Sequence, residues 1–187
     1  MNNLKGNRRL KINGLHFFID NSNIFIEAQR VARTQFFYDD ELVLRLRISY
    51  GSLLDEVRQG RPLKETVLVG SRPPDNDALW GKLKNLNVEP RIFDRSFYTR
   101  KEKRVDAELI NAVRDTLEDN SEPGTVAIVA GDQDYVTTLE RCIKRGWEVE
   151  IYFWEQASRS LKNLSGAKFI NLDDYFEKIT FREKARE

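Results

Sequence analysis

Several separated aspartates stand where this chain could do chemistry. Asp20 closes the apolar run Leu15–Ile19. Asp132 and Asp134 follow a second apolar run, Thr125 to Ala130, in Gly131-Asp132-Gln133-Asp134. Asp106 comes just after the basic run Arg100-Lys101-Glu102-Lys103-Arg104, where a helix is expected to open. In a mostly parallel α/β sheet, the polar ends of such strands meet at one edge, where ligands bind. Carboxylates brought together repel unless protons or cations offset their charge. Hard divalent cations prefer oxygen ligands of this kind. With basic side chains nearby, the pattern points to metal-dependent phosphodiester chemistry.

Each acid also has a plain structural use. Asp20 or Ser22 is suited to cap the helix that follows, because short oxygen-bearing side chains satisfy its free amides. Asp134 stands ahead of Thr137 and Thr138 as another cap. Asp106 fits a first-turn acid, kept ionised by the helix N-terminus. Asn23 suits a phosphate or carboxylate contact and a turn contact equally. The glycines of a dinucleotide-binding loop are missing from Ile19–Ile24, and no phosphate-binding Gly-rich loop with Lys and Ser or Thr occurs. Ser22 and Ile24 stand where an aspartyl phosphatase and an adhesive metal site would need Asp and Ser. The one histidine, His16, lies inside the first strand and is expected to be structural.

The elements that must position these residues alternate strand and helix. Strands are expected at 15–19, 65–70, 88–93, 125–130, 148–153 and 168–171. The run Leu15–Ile19 is nearly continuous in apolar residues, as a buried parallel strand would be. Helices are expected at 22–33, 39–59, 75–85, 105–118, 135–144 and 173–179. In the second of these, Leu42, Leu46, Tyr50, Leu53, Leu54 and Val57 recur near the helical period. Residues 71–75 and 94–104 are read as loops. The alternation predicts a three-layer α/β domain with a central, mostly parallel sheet. Residues 1–13 read as a flexible arm, 14–180 as one domain, and 181–187 as a charged, solvent-exposed tail.

Composition narrows the classes. The 187 residues fit one domain with a sizeable core. A formal net charge of only +1 means that local charge, not the total, must argue for nucleic acid. The single cysteine, Cys142, excludes an intrachain disulfide framework and reads as inert core. No apolar stretch approaches the roughly 20 residues that span a bilayer. The expectation is an intracellular, cytoplasmic protein with no membrane partner, the nucleus being equally compatible. Trp80, Trp147 and Trp154 are expected to pack rather than stack on bases.

Phe18-Ile19-Asp20-Asn21-Ser22-Asn23, Lys103-Arg104-Val105-Asp106 and Val129-Ala130-Gly131-Asp132-Gln133-Asp134-Tyr135 occur in an order that resembles the NYN domain family of PIN-like nucleases. The likeness runs from about Leu15 to Phe176. It implies a PIN-like fold and Mg²⁺- or Mn²⁺-dependent cleavage of RNA. It also implies an acidic metal centre of Asp20, Asp106 and Asp132, supported by Asp134, with Asn23 as a polar member. Arg104 replaces a glycine of the family pattern, and Tyr135 replaces the usual phenylalanine, adding a hydroxyl that must be satisfied.

An RNA path is expected beside Asp106. Arg95, Arg100, Lys101, Lys103 and Arg104 are interleaved with Phe97 and Tyr98, and Arg72 follows another strand. Such cations contact phosphates, and aromatic faces stack on unpaired bases. Ordinary surface charge is the plain alternative for each cation, and loop anchoring for the two rings. The expected function is a metal-dependent ribonuclease, in the endonuclease sense, on single-stranded or locally unpaired RNA. An RNA-binding module with a vestigial acidic pocket and a structural adaptor are the alternatives. A homodimer or a protein partner is compatible with either.

Overall fold

The computed structural model describes residues 14–71, 77–93 and 102–184, and of residues 71, 77–80 and 102–104 only the backbone. Six strands form one parallel sheet: β1 (Leu15–Asp20), β3 (Leu63–Ser71), β4 (Glu89–Phe93), β5 (Thr125–Val129), β6 (Glu148–Phe153) and β7 (Ala167–Asn171). Two short strands, β2 (Leu46–Ile48) and β8 (Thr180–Arg182), pair antiparallel in a second, small sheet. The helices are α1 (Asn21–Thr34), α2 (Asp40–Leu44), α3 (Tyr50–Arg58), α4 (Asp77–Asn85), α5 (Glu102–Asp119), α6 (Val136–Lys144), α7 (Arg159–Lys162) and α8 (Phe176–Ile179). Among the described residues, no helix is long and apolar enough to cross a membrane.

Strand order in the large sheet is β4-β3-β1-β5-β6-β7. The chain therefore builds outward from β1 on one side, returns beside β1, and builds outward on the other. The winding reverses between β1 and β5, so a crevice opens at their carboxyl ends. Asp20 is the last residue of β1, and Asp132 comes three residues after the end of β5.

Both faces of the sheet are covered at its centre, which is why β1 and β5 are largely apolar. All six residues of β1 and all five of β5 are buried. Leu15, Phe17 and Ile19 pack on one face with Ile24, Ala28 and Val31 of α1 and Leu53 and Val57 of α3. Phe18 points to the other face, with Leu109 and Val113 of α5 and Leu139 and Cys142 of α6. This is the expected three-layer arrangement. Trp154 is buried and donates its indole N–H to the Ile24 carbonyl, 3.0 Å away. Trp147 packs edge-on against His16. Cys142 is buried, and its thiol pKa is pushed up to about 11 by burial, so it is the inert core residue expected.

The expected helix over 39–59 is corrected. Its middle is β2, and helices α2 and α3 flank it. Leu46 and Ile48 are buried while Arg47 is only half-buried, an alternation of period two. The partner strand, residues 180–182, comes from the far end of the chain, with Arg47 opposite Phe181. The Arg47 guanidinium forms an ion pair of 2.7 Å with Glu183. The start of the charged tail is therefore part of the fold. Helix α5 also starts earlier than expected, at Glu102, so Lys103 and Arg104 lie on helix rather than loop.

Candidate active site

Asp20 meets both of its expected uses at once. Its Oδ1 accepts the Asn23 N–H at 3.0 Å and so caps α1. Its Oδ2 accepts from the Tyr135 hydroxyl at 2.9 Å. Only 3% of the residue is exposed. Burial raises the Asp20 pKa, backbone and Tyr135 hydrogen bonds lower it, and the charge of Asp132 adds to the rise.

Asp106 approaches from α5. The same Tyr135 hydroxyl lies 3.1 Å from its Oδ1, so one oxygen atom links the β1 acid to the α5 acid. The Asp106 pKa is pushed up to about 6, by burial first and by Asp20 next; the Tyr135 hydrogen bond opposes this, and Asp132 and Asp134 add to it. The helix N-terminus, expected to favour the charged form, is outweighed by burial and the neighbouring acids. Because α5 begins at Glu102, Asp106 sits a turn inside the helix, where the terminal field has fallen off.

Gly131 steers the chain out of β5. A Cβ there would lie 2.0 Å from the ring of Phe153, so only glycine lets the strand end pass that buried side chain. Its N–H donates to Asn23 Oδ1 at 2.7 Å. Asn23 therefore ties the ends of β1 and β5 together through its carbonyl oxygen. Its Nδ2 makes no hydrogen bond to a described residue. Asp132 follows, exposed, and caps the short 3-10 turn Gln133–Tyr135 by accepting the Asp134 N–H at 3.4 Å. The capping role expected for Asp134 thus falls to Asp132.

Asp106 and Asp134 also edge a groove of about 660 Å³, with Gln133, Thr137, Ser160 and Ile110 among its walls. Ser160 belongs to α7, an element not anticipated from the sequence, although Ser158 caps it as a helix-starting serine does. Two further neighbours were missed. The Tyr50 hydroxyl donates to Asn21 Oδ1. Its pKa is raised by burial and by the Asp20 charge, which places it beside the acids. Tyr50 looked like one more apolar helix position; Asn21 lay in full view within the first motif. Of the expected RNA contacts, Arg72, Arg95, Phe97, Tyr98, Arg100 and Lys101 lie outside the described residues. Lys103 and Arg104 are placed by backbone alone, in the turn of α5 that leads through Val105 to Asp106.

Among the described residues, no group of three or more His, Cys, Asp or Glu side chains is gathered closely enough to hold a metal ion. The donor chemistry nonetheless fits a hard divalent cation. Asp106 feels the charges of Asp20, Asp132 and Asp134 together, and a cation would relieve that repulsion.

The NYN domain profile matches residues 16–173. No curated protein matches the sequence. Among solved structures, a Vibrio parahaemolyticus protein of unknown function superposes with a TM-score of 0.60 at 16% identity, over 86% of this chain and 94% of its own. That likeness concerns the fold. The match over most of the chain shows that this protein belongs to the NYN domain family of PIN-like nucleases. It is a nuclease-type module, of a family that implies divalent metal and RNA in general terms.

Proposed function

We propose that this NYN-domain chain is a divalent-metal-dependent ribonuclease that cleaves single-stranded or locally unpaired RNA endonucleolytically. The observation that carries the reading is the arrival of Asp20, at the end of β1, and Asp132, just past the end of β5, at one sheet edge, with Asp106 joined to Asp20 through the Tyr135 hydroxyl. Asp20, Asp106 and Asp132 would hold Mg²⁺ or Mn²⁺, with Asp134 as a further ligand, direct or through water. A bound divalent ion supplies an activated water and stabilises charge on the phosphoryl and leaving oxygens. Asn23 donates through Nδ2 to a phosphate oxygen while Oδ1 keeps the two strand ends in register. Lys103 and Arg104, with Arg72, Arg95, Arg100 and Lys101, neutralise backbone phosphates. Phe97 and Tyr98 stack on unpaired bases, which a continuous duplex would hide. Water adds across the P–O bond, and no protein nucleophile is needed.

A second reading is an RNA-binding module with a vestigial pocket. One observation favours it: the Tyr135 hydroxyl already engages both Asp20 and Asp106. Cleavage of internally labelled single-stranded RNA by highly purified protein decides between the two, with Mg²⁺, Mn²⁺ and chelator compared. Asp132→Asn should nearly abolish cleavage and leave the fold intact, because Asp132 is exposed and supports no core packing. Unchanged metal-dependent rates in that variant would remove Asp132 from the site. RNA binding without cleavage in any metal would favour the vestigial pocket.

A further inference from the structure

Tyr135 is 1% exposed, yet its hydroxyl faces two carboxylates and no other described partner. The ring itself belongs to the core packed around α5 and α6. Phenylalanine would fill that space as well, so packing does not explain the oxygen. The hydroxyl lies 2.9 Å from Asp20 Oδ2 and 3.1 Å from Asp106 Oδ1, at the place where the two acids come closest to a common partner. We infer that the Tyr135 hydroxyl is a resident competitor for the metal: in the metal-free protein its one proton serves Asp20 or Asp106, and this charge-assisted hydrogen bond weakens when a divalent ion binds. The inference rests on the proposed function, since it takes these carboxylates as the ion's ligands.

The argument is one of shared charge. Hydrogen bonds to charged groups are among the strong ones in a protein. A divalent ion held by the same carboxylates would neutralise the charge that strengthens the Tyr135 hydrogen bond. A group that stabilises the metal-free state raises the free energy of binding by the amount it must surrender. Removing the hydroxyl should therefore have two linked effects. The metal-free protein loses stability, and the ion binds more tightly. A purely structural tyrosine would show the first effect alone.

Tyr135→Phe tests this in the full chain, stripped of metal and titrated with Mn²⁺ while the free ion is followed by electron paramagnetic resonance. Affinity should rise about tenfold, the scale of one charge-assisted hydrogen bond. The variant should melt below wild type without metal, and the gap should narrow at saturating Mn²⁺. Equal or weaker Mn²⁺ affinity overturns the inference, as does a melting gap that saturation leaves unchanged. If neither protein binds Mn²⁺, the inference falls, and RNA cleavage by wild type in Mg²⁺ then tells whether the nuclease reading falls with it. Should Tyr135→Phe fail to fold, wild type carries the test. Of the 6 tyrosines, labelled as fluorotyrosine, one ¹⁹F resonance assigned to Tyr135 should move along the Mg²⁺ binding curve. A resonance for Tyr135 that stays fixed through saturation overturns the inference.

Discussion

The two ends of β1 solve opposite electrostatic problems. At the start of the strand, His16 is buried and donates through Nδ1 to Glu65 Oε2 at 2.9 Å. Thr116 donates to the same oxygen at 3.0 Å. Burial alone would raise the Glu65 pKa; the hydrogen bonds from His16 and Thr116, with the charges of His16 and Arg91, bring it below the ordinary glutamate value. At the end of the strand, Asp20 faces Asp106 and Asp132, and the pKa values of Asp20 and Asp106 are raised. One end pairs an acid with donors and is closed. The other gathers acids, and a tyrosine hydroxyl is the side-chain donor within reach of two of them. Buried polar groups that serve the fold find complementary partners. A collection of like charges stabilises nothing by itself, and under the proposed function a cation would offset it.

Substitutions can break that contrast at either end. The largest effect is expected at Asp20→Asn. Asparagine keeps the α1 cap, since it is as good at that position as aspartate. It removes one charge from the acidic cluster, so metal-free stability should not fall. RNA cleavage should drop by at least about a hundredfold, more than the 10–100-fold typical of losing an outer partner of a metal ligand. Single-turnover cleavage beside thermal melting checks both halves. Cleavage at the wild-type rate would show that Asp20 merely caps a helix.

Glu65→Ala should do the reverse. It strands the buried His16 donor and should cost about 1–3 kcal/mol in denaturant unfolding. Thr116 can turn its one proton to the Ala112 carbonyl, 3.0 Å away, which limits the damage. Cleavage by the folded fraction should be unaffected. Loss of turnover without loss of stability would mean that the two ends of β1 communicate.

The smallest effect sharpens the contrast through pH. Asp106 has a folded pKa of about 6, above its unfolded value of 3.8. Its contribution to stability is therefore full below the unfolded value and is lost as pH rises through about 6. Glu65 has a lowered pKa, so its contribution is present above its unfolded value of 4.5 and is lost as pH falls through the folded one. Metal-free wild type should lose some stability between pH 4 and about 6, and Asp106→Asn should flatten that part of the curve. A curve of the same slope in the variant would assign the titration to another group.

Much of this was written in the sequence, for identifiable reasons. Strands buried on both faces must be apolar along their length, so Leu15–Ile19 and Val126–Val129 announced themselves, and the first acids after them, Asp20 and Asp132, were legible as residues of one sheet edge. Gly131 was legible as a turn, but its need came from the ring of Phe153 on the neighbouring strand. The helical spacing of Leu42, Leu46 and Tyr50 concealed β2, because a three-residue strand is specified by its partner, and residues 180–182 are remote in the chain. Most of all, the extra hydroxyl of Tyr135 was visible as an oxygen in need of a partner, while the choice of partners was not. Hydrogen bonding is decided by ångströms, and only the packing of α5 against β1 brings Asp20 and Asp106 to the same Oη. The raised pKa of Asp106 follows from the same packing, since burial and like charge are properties of neighbours in space rather than of residue type.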